Sequence, residues 1–286
     1  MKIKPPKHKE SIHKGEIGRI LVIGGSPKYY GAPILTGLAA EASGADLIHV
    51  YTCHKNLEVA KKYSLNFFLH SFPENPGYLS LHDVKKIQQL EVDSIVIGNG
   101  MGDDFDAKKA MLAIINSDKP IIIDGDALVP ELLKIYNPEK HQWVLTPHHG
   151  EFKRVFGVNA TPDRIEEMAK KYQLNLCVKG KVDYMIACND FKINNLGLLE
   201  NGYEINSDMI LYENNTGINK MRVGGTGDAL AGIIASYIGQ GFSALQAFVV
   251  ATNLFGSAGE ALASESYNFT ARSLIKFYPK FVSRNI

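Results

Sequence analysis

The sequence predicts an α/β protein: a mostly parallel central sheet with helices on both faces, extended at one edge by antiparallel hairpins. Three observations carry this. Short runs rich in Ile, Val and Leu recur from Arg19 onward, each ends in a Gly-rich or acidic turn, and each turn leads into a stretch of helical length. With 286 residues and 45% apolar content, the chain can fill a sizeable core. No internal repeat and no low-complexity linker interrupts the pattern, so residues 1–286 read as a single domain.

Taken in order, the runs are 19–23, 47–52, 94–98, 120–124, 143–146 and 174–179. The turns after them include Gly24-Gly25-Ser26, Gly98-Asn99-Gly100-Met101-Gly102, Asp124-Gly125-Asp126, Pro147-His148-His149-Gly150-Glu151 and Gly180-Lys181-Val182-Asp183. In open α/β sheets ligands lie off the carboxyl ends of the strands, where these small and polar groups gather. Beyond Lys179 the texture changes to short alternating segments, 182–188, 191–193, 203–205 and 209–212, which predict the antiparallel hairpins. Two apolar helices follow, 229–238 and 242–263, and then a polar tail. In the first, Leu230, Ile233, Ile234, Tyr237 and Ile238 form a stripe at helical spacing. The second is interrupted by Gln246, Asn253, Ser257 and Glu260, which marks a buried Ala-rich helix rather than a membrane span.

Charge excludes several partners. Against 31 Lys and Arg stand 30 Asp and Glu, a net charge of +1, which favours neither nucleic acid nor an anionic membrane. Cys53, Cys177 and Cys188 form no C-x-x-C pair, so neither a zinc site nor a disulfide framework is expected and a reducing cytoplasm fits. Residues 1–14 are rich in Lys and Pro without an apolar segment, unlike a secretory signal.

The stretch richest in chemistry is Val223-Gly224-Gly225-Thr226-Gly227-Asp228, which opens the helix at 229–238. Its first turn has almost no side chains, so the amides of Gly224, Gly225, Thr226 and Gly227 offer an anion hole at the positive end of the helix dipole. A carboxylate in that turn repels bound phosphate unless it has other work, and taking the proton of a hydroxyl that attacks phosphorus is such work for Asp228. The plain alternative is that Thr226 caps the helix and Asp228 complements its dipole. Glu151, three residues after His148, is placed to steer a magnesium-bound water toward nucleotide phosphates. His148 alone reads as a surface loop histidine, and Lys179, Lys181 and Asp183 can likewise be solvated strand ends, their place after a β run favouring nucleotide contact only somewhat. Neither a dinucleotide fingerprint nor a P-loop is present, because Gly98-x-Gly100 lacks the third glycine and Gly225-Thr226-Gly227-Asp228 lacks Lys-Ser/Thr.

Taken together, Gly224-Gly225-Thr226-Gly227-Asp228, Leu145-Thr146-Pro147-His148-x-Gly150-Glu151-Phe152 and Gly31-Ala32 after Gly24-Gly25-Ser26 resemble the ADP-dependent NAD(P)H-hydrate dehydratases of the ribokinase-like superfamily. Gly98-Asn99-Gly100-Met101-Gly102, Asp124-Gly125-Asp126-Ala127-Leu128 and Val178-Lys179-Gly180 agree in order and spacing, and the resemblance spans about 13–273. It implies a three-layer α/β/α ribokinase-like fold. The implied activity is repair of hydrated NADH or NADPH, with ADP (or ATP) as phosphoryl donor and Mg²⁺ as cofactor. By the same resemblance Asp228 is the base, and Ala32, Gly102, His148 and Asp228 contact the hydrated dinucleotide. Lys179, Gly180, Lys181, Val182, Asp183 and Gly227 hold the AMP part of the nucleotide, and Glu151 supports the metal through water. The family is often a homotetramer and works beside an epimerase, expected here on a separate chain. Asn99 stands in place of the usual proline of Gly-Pro-Gly, Gly125 in place of an alanine and His149 in place of a proline. Two alternatives share the anion hole: a kinase of a small alcohol of thiazole or pyrimidine type, and a nucleotide sensor without turnover.

Overall fold

The computed structural model of the protein describes residues 13, 15–16, 18–73, 77–189 and 209–284. Their elements run β1 (Arg19–Ile23), α1 (Gly31–Ala42), β2 (Leu47–Thr52), α2 (Leu57–Ala60), β3 (Phe67–Ser71), α3 (Leu81–Gln88), β4 (Ser94–Ile97), α4 (Phe105–Ile115), β5 (Ile121–Ile123), α5 (Leu132–Ile135) and β6 (Trp143–Leu145). There follow α6 (His149–Phe156), α7 (Pro162–Tyr172), β7 (Asn175–Val178), β8 (Asp183–Ala187), β9 (Tyr212–Asn214), α8 (Thr226–Gly239), α9 (Ala244–Glu265) and α10 (Ala271–Ser283).

Among the described residues the strands form one sheet in the order β3-β2-β1-β4-β5-β6-β7-β8-β9. Pairing is parallel through β7 and antiparallel for β8 and β9. Because side chains alternate along a strand, Ile20 and Val22 face one layer and Leu21 and Ile23 the other. The first layer is α1, α8, α9 and α10, and the second is α3, α4, α6 and α7. A sheet covered on both faces has continuous apolar strands, which is why Ser94–Ile97 is buried at every position.

The structure departs from the sequence expectations in four places. β3 is unexpected: Phe67–Ser71 is a half-buried edge strand without clean alternation. The segment 209–212 is a strand only at Tyr212, because Met209 takes a left-handed turn conformation at φ 53°. The expected polar tail is α10, whose Leu274, Ile275 and Tyr278 are buried while its Thr270 cap and lysines face solvent. Helix α8 shows no single apolar stripe, since Ala229 through Gly239 are buried all round between the sheet and the helices of its layer. The expected segments 191–193 and 203–205 lie outside the described residues. No helix among the described residues is long and apolar enough to cross a membrane.

The close fit of α8 against α1 turns on one glycine. A Cβ at Gly232 would stand 2.2 Å from the Thr36 carbonyl oxygen, so the two helix backbones meet with no room for a methyl group. Substituting alanine therefore forces the helices apart despite its better helix propensity. Gly232→Ala is expected to cost about 2–3 kcal/mol and to lower the Tm by roughly 5–10 °C, read by thermal unfolding.

Candidate active site

The sheet order reverses between β1 and β4, which are neighbours although β2 and β3 lie between them in sequence. From β1 the chain moves outward to β2, and from β4 it moves the other way to β5, so the loops after β1 and β4 diverge and open a crevice at the carboxyl ends. An open cavity of about 470 Å³ lies there. Lys28, Tyr29 and Tyr30 line it ahead of α1, and Gly31 and Ala32 from its first turn. Gly100 follows β4, Asp126 follows β5, and Asp228 comes from the first turn of α8. The volume falls in the range of small-molecule sites.

The start of α8 is shaped by Gly225, its N-cap, at φ 96°. A side chain there would be strained by that backbone and would stand 2.4 Å from Leu35 Cδ1. Thr226 is the first helical residue rather than the cap, and its hydroxyl donates backward to the carbonyls of Met221 (2.9 Å) and Val223 (3.0 Å). The Thr226 amide reaches Val223 O at 3.4 Å. The amides of Gly224, Gly225 and Gly227 have no acceptor among the described residues, which leaves three donors beside the Asp228 carboxylate.

Behind Asp228 lies a chain of buried charge that the strand order assembles. The Asn99 carboxamide, from the loop after β4, donates to Asp228 Oδ1 (2.7 Å) and to Asp124 Oδ2 (2.9 Å). Asp124, at the end of β5, also accepts from the Thr146 hydroxyl (2.9 Å) and pairs with Lys179 Nζ at 2.6 Å. Asn99 Oδ1 is buried without a partner among the described residues, an arrangement that costs about 1–3 kcal/mol. Burial raises Asp228 above the ordinary carboxylate range; Asp124 and Asp126 push the same way, while Asn99 and Lys179 oppose them. Burial works against the charge of Lys179 as well, but Asp124, Glu151 and Asp228 together hold it above its ordinary value. Asp126 is raised by burial and accepts the Gly102 amide at 2.8 Å.

His148 and Glu151 form the cap of α6. His148 Nδ1 accepts from the amides of Gly150 (3.0 Å) and Glu151 (3.1 Å), and Glu151 Oε2 accepts the His148 amide (2.8 Å). That network places the proton on Nε2, which lies 3.5 Å from Glu151 Oε1. The loop lies beside the end of β7, where the Lys179 amide donates to Pro147 O at 2.8 Å. Burial raises Glu151, with Lys179 opposing and Asp124 adding to the shift. In the β7–β8 turn, Asp183 accepts from the Gly180 amide and from Asn214 Nδ2, both at 3.1 Å, while Gly180 and Lys181 are exposed.

Of the residues the sequence singled out, Ala32 and Asp228 line the cavity, and Gly102 stands one hydrogen bond behind it through Asp126. His148, Glu151 and the stretch from Lys179 to Asp183 sit at the adjoining ends of β6 and β7. Lys179 joins the two groups: a Cβ placed on Gly227 would lie 3.2 Å from Lys179 Nζ. It is therefore not a solvated strand end, and Val182 next to it is half-buried. Reading the sequence alone missed the parts played by Asn99, Asp124 and Asp126. The signal present was the acidic Asp124-Gly125-Asp126 turn closing an apolar run.

Comparison with known proteins identifies the family and the fold. A sequence profile of the NAD(P)H-hydrate dehydratase family matches residues 20–201 and 205–280. The chain is 34% identical over 270 residues to the ADP-dependent (S)-NAD(P)H-hydrate dehydratase of Nitrosopumilus maritimus, covering 90% of this chain and 85% of that one. It is 31% identical to the bifunctional NAD(P)H-hydrate repair enzyme Nnr of Hyperthermus butylicus, of which it spans 50%. Among solved structures, a ribokinase-like superfamily protein from Enterococcus faecalis superposes with a TM-score of 0.81 at 24% identity, covering 98% of this chain and 92% of that one. The ADP/ATP-dependent NAD(P)H-hydrate dehydratase of Bacillus subtilis, co-crystallized with ATP/Mg²⁺, superposes at 0.80 with 24% identity over 99% of this chain and 95% of that one. These two likenesses establish the ribokinase-like fold. With the profile spanning nearly all of the chain and a relative 34% identical over most of both chains, the protein belongs to the NAD(P)H-hydrate dehydratase family.

Proposed function

We propose that this chain returns hydrated NADH or NADPH to the reduced dinucleotide, ADP or ATP supplying a phosphoryl group. The observation that carries the reading is the Asp228 carboxylate, lining the cavity beside the unpaired amides at the start of α8. Hydration leaves a hydroxyl on the ring carbon next to the ring nitrogen, and hydroxide is a poor leaving group. Asp228 takes the hydroxyl proton as the oxygen attacks the terminal phosphorus, and AMP leaves when ADP is the donor. The α8 amides meet the charge that builds on the transferred phosphoryl oxygens. The ring nitrogen then expels phosphate, and loss of a proton from the neighbouring carbon restores the double bond. Burial makes Asp228 a stronger base than an exposed aspartate, which suits this role.

Mg²⁺ fits the chemistry of the donor set. No group of three or more His, Cys, Asp or Glu able to hold a metal occurs among the described residues. Mg²⁺ commonly takes only one or two carboxylates and completes its shell with water and phosphates. Glu151 would support it through water, and the ion would neutralise phosphate charge. Ala32 and Gly102 are the expected contacts to the dinucleotide, with His148 at the neighbouring rim. Lys179, Gly180, Lys181, Val182, Asp183 and Gly227 are the expected contacts to AMP. The bifunctional relative carries about as much chain again as the part matched here, which supports work beside a second repair activity, expected to be an epimerase. Homotetramer assembly is expected from the resemblance, and a cytoplasmic location from the cysteine pattern.

The test is to incubate the protein with hydrated NADH, Mg²⁺ and either ADP or ATP, following the near-ultraviolet absorbance of the reduced ring. Recovery of absorbance with release of phosphate is expected. Nucleotide binding without recovery contradicts the reading, and a stable phosphorylated alcohol would indicate a kinase instead.

A further inference from the structure

Asn99 is 1% exposed, in the loop after β4, and its one amide nitrogen serves two carboxylates, Asp228 Oδ1 at 2.7 Å and Asp124 Oδ2 at 2.9 Å. The carboxamide has only one workable orientation, because the flipped form would set its oxygen against two carboxylate oxygens. Its own Oδ1 has no partner among the described residues, so the side chain is held by what Nδ2 donates. Among the described residues it is the one side chain that hydrogen-bonds Asp228.

The other charged groups facing Asp228 divide by sign. Asp124 and Asp126, from the turn after β5, oppose its ionisation, while Lys179, from the end of β7, favours it. Lys179 is already engaged with Asp124 at 2.6 Å. The direct donor to Asp228 is thus Asn99, and with Oδ1 engaged it is Oδ2 that remains to take a proton. We propose that Asn99 is a positioning residue for Asp228, fixing which carboxylate oxygen meets the substrate hydroxyl and keeping that carboxylate in its proton-accepting form beside Asp124. This rests on the reading of Asp228 as the base. In the step it serves, the O–H bond breaks with its proton passing to Asp228 Oδ2 as the new O–P bond forms. The electron pair of the broken P–O bond leaves with AMP.

A hydrogen bond to the charged form lowers a carboxylate pKa, so removing it moves the Asp228 pKa further up. Asn99→Leu, which has no donor, is expected to shift the acid limb of kcat upward by about one pH unit. Turnover on that limb then falls about tenfold, recovers above it, and KM for the nucleotide stays nearly constant. Asn99→Ser, smaller and still a donor, is measured beside it in case leucine among carboxylates impairs folding, and a smaller shift of the same sign is expected. An unmoved limb in the folded variants overturns the proposal, whether turnover is normal or lowered equally at every pH. Carboxyl ¹³C titration of ligand-free protein, with the Asp228 signal assigned through Asp228→Asn, reads the same shift without catalysis. If Asp228→Asn keeps its turnover the base reading fails. If that variant is inactive and the Asn99 variants titrate as the unsubstituted protein does, only the positioning role fails.

Discussion

Asp228→Asn is expected to lower turnover roughly a hundredfold or more, with nucleotide binding retained. The substitution changes the least that a test of the base can change. An asparagine oxygen at this position still accepts from Asn99 Nδ2, so the local geometry is preserved while the charge and the proton affinity are lost. The proposed anion hole consists of backbone amides, which the substitution leaves in place, so nucleotide affinity is expected to hold or to improve slightly as a like charge disappears. Steady-state kinetics with hydrated NADH, paired with equilibrium nucleotide binding, separates these effects. Near-normal turnover in the variant would remove Asp228 from the role of base.

Lys179→Met is expected to have the largest effect on stability. The Lys179 side chain is 16% exposed and that of Asp124 4%, so the pair lies away from solvent. Removing one member of a buried pair leaves the other as an uncompensated charge, at a cost of about 3–5 kcal/mol. Here the loss reaches further, because Lys179 also favours the charged forms of Glu151 and Asp228. Without it Glu151 and Asp228 are pushed to still higher pKa. A carboxylate whose folded pKa is raised above its unfolded value binds protons more readily when folded, so stability is relatively greater at low pH and falls as pH rises through the raised value. The deficit of Lys179→Met should therefore be largest at neutral pH and shrink as pH falls toward the ordinary carboxylate range near about 4. Denaturant unfolding at a series of pH values measures this, and a deficit independent of pH contradicts it.

The sheet and its six parallel runs were legible because buried parallel strands are apolar along their whole length, and Arg19–Ile23 or Ser94–Ile97 stand out against polar turns. Asp228 was legible for a related reason: a glycine run entering an apolar helix has few structural uses for a carboxylate. The charge network behind it was not. Asn99, Asp124 and Lys179 come from loops after three different strands, and their contact depends on the spatial order β4-β5-β6-β7. A single sequence does not state strand order, and each of the three has an ordinary reading alone. Edge strand β3 escaped because half-exposed Phe67–Ser71 follows neither the buried nor the alternating pattern. Helix α10 escaped because Arg272, Lys276, Pro279 and Lys280 obscured the spacing of Leu274, Ile275 and Tyr278, which a count at helical period would have revealed.

The pairing of α1 with α8 sets the order in which this protein can become active. Gly31 and Asp228 line one cavity although nearly two hundred positions separate them, and the same span is tied by Gln240 Nε2 on the Ser43 carbonyl at 2.9 Å. Ser94 Oγ likewise reaches the Ala235 carbonyl at 2.9 Å. Contacts this distant in the chain form only after a large loop has closed, which slows folding relative to proteins built from local contacts. During synthesis the first five parallel strands of the sheet emerge long before α8, and until that helix docks they expose the apolar face of Ile20, Val22, Val50 and Val96. The nascent chain therefore covers this face of the sheet and brings Asp228 to the cavity in one late event.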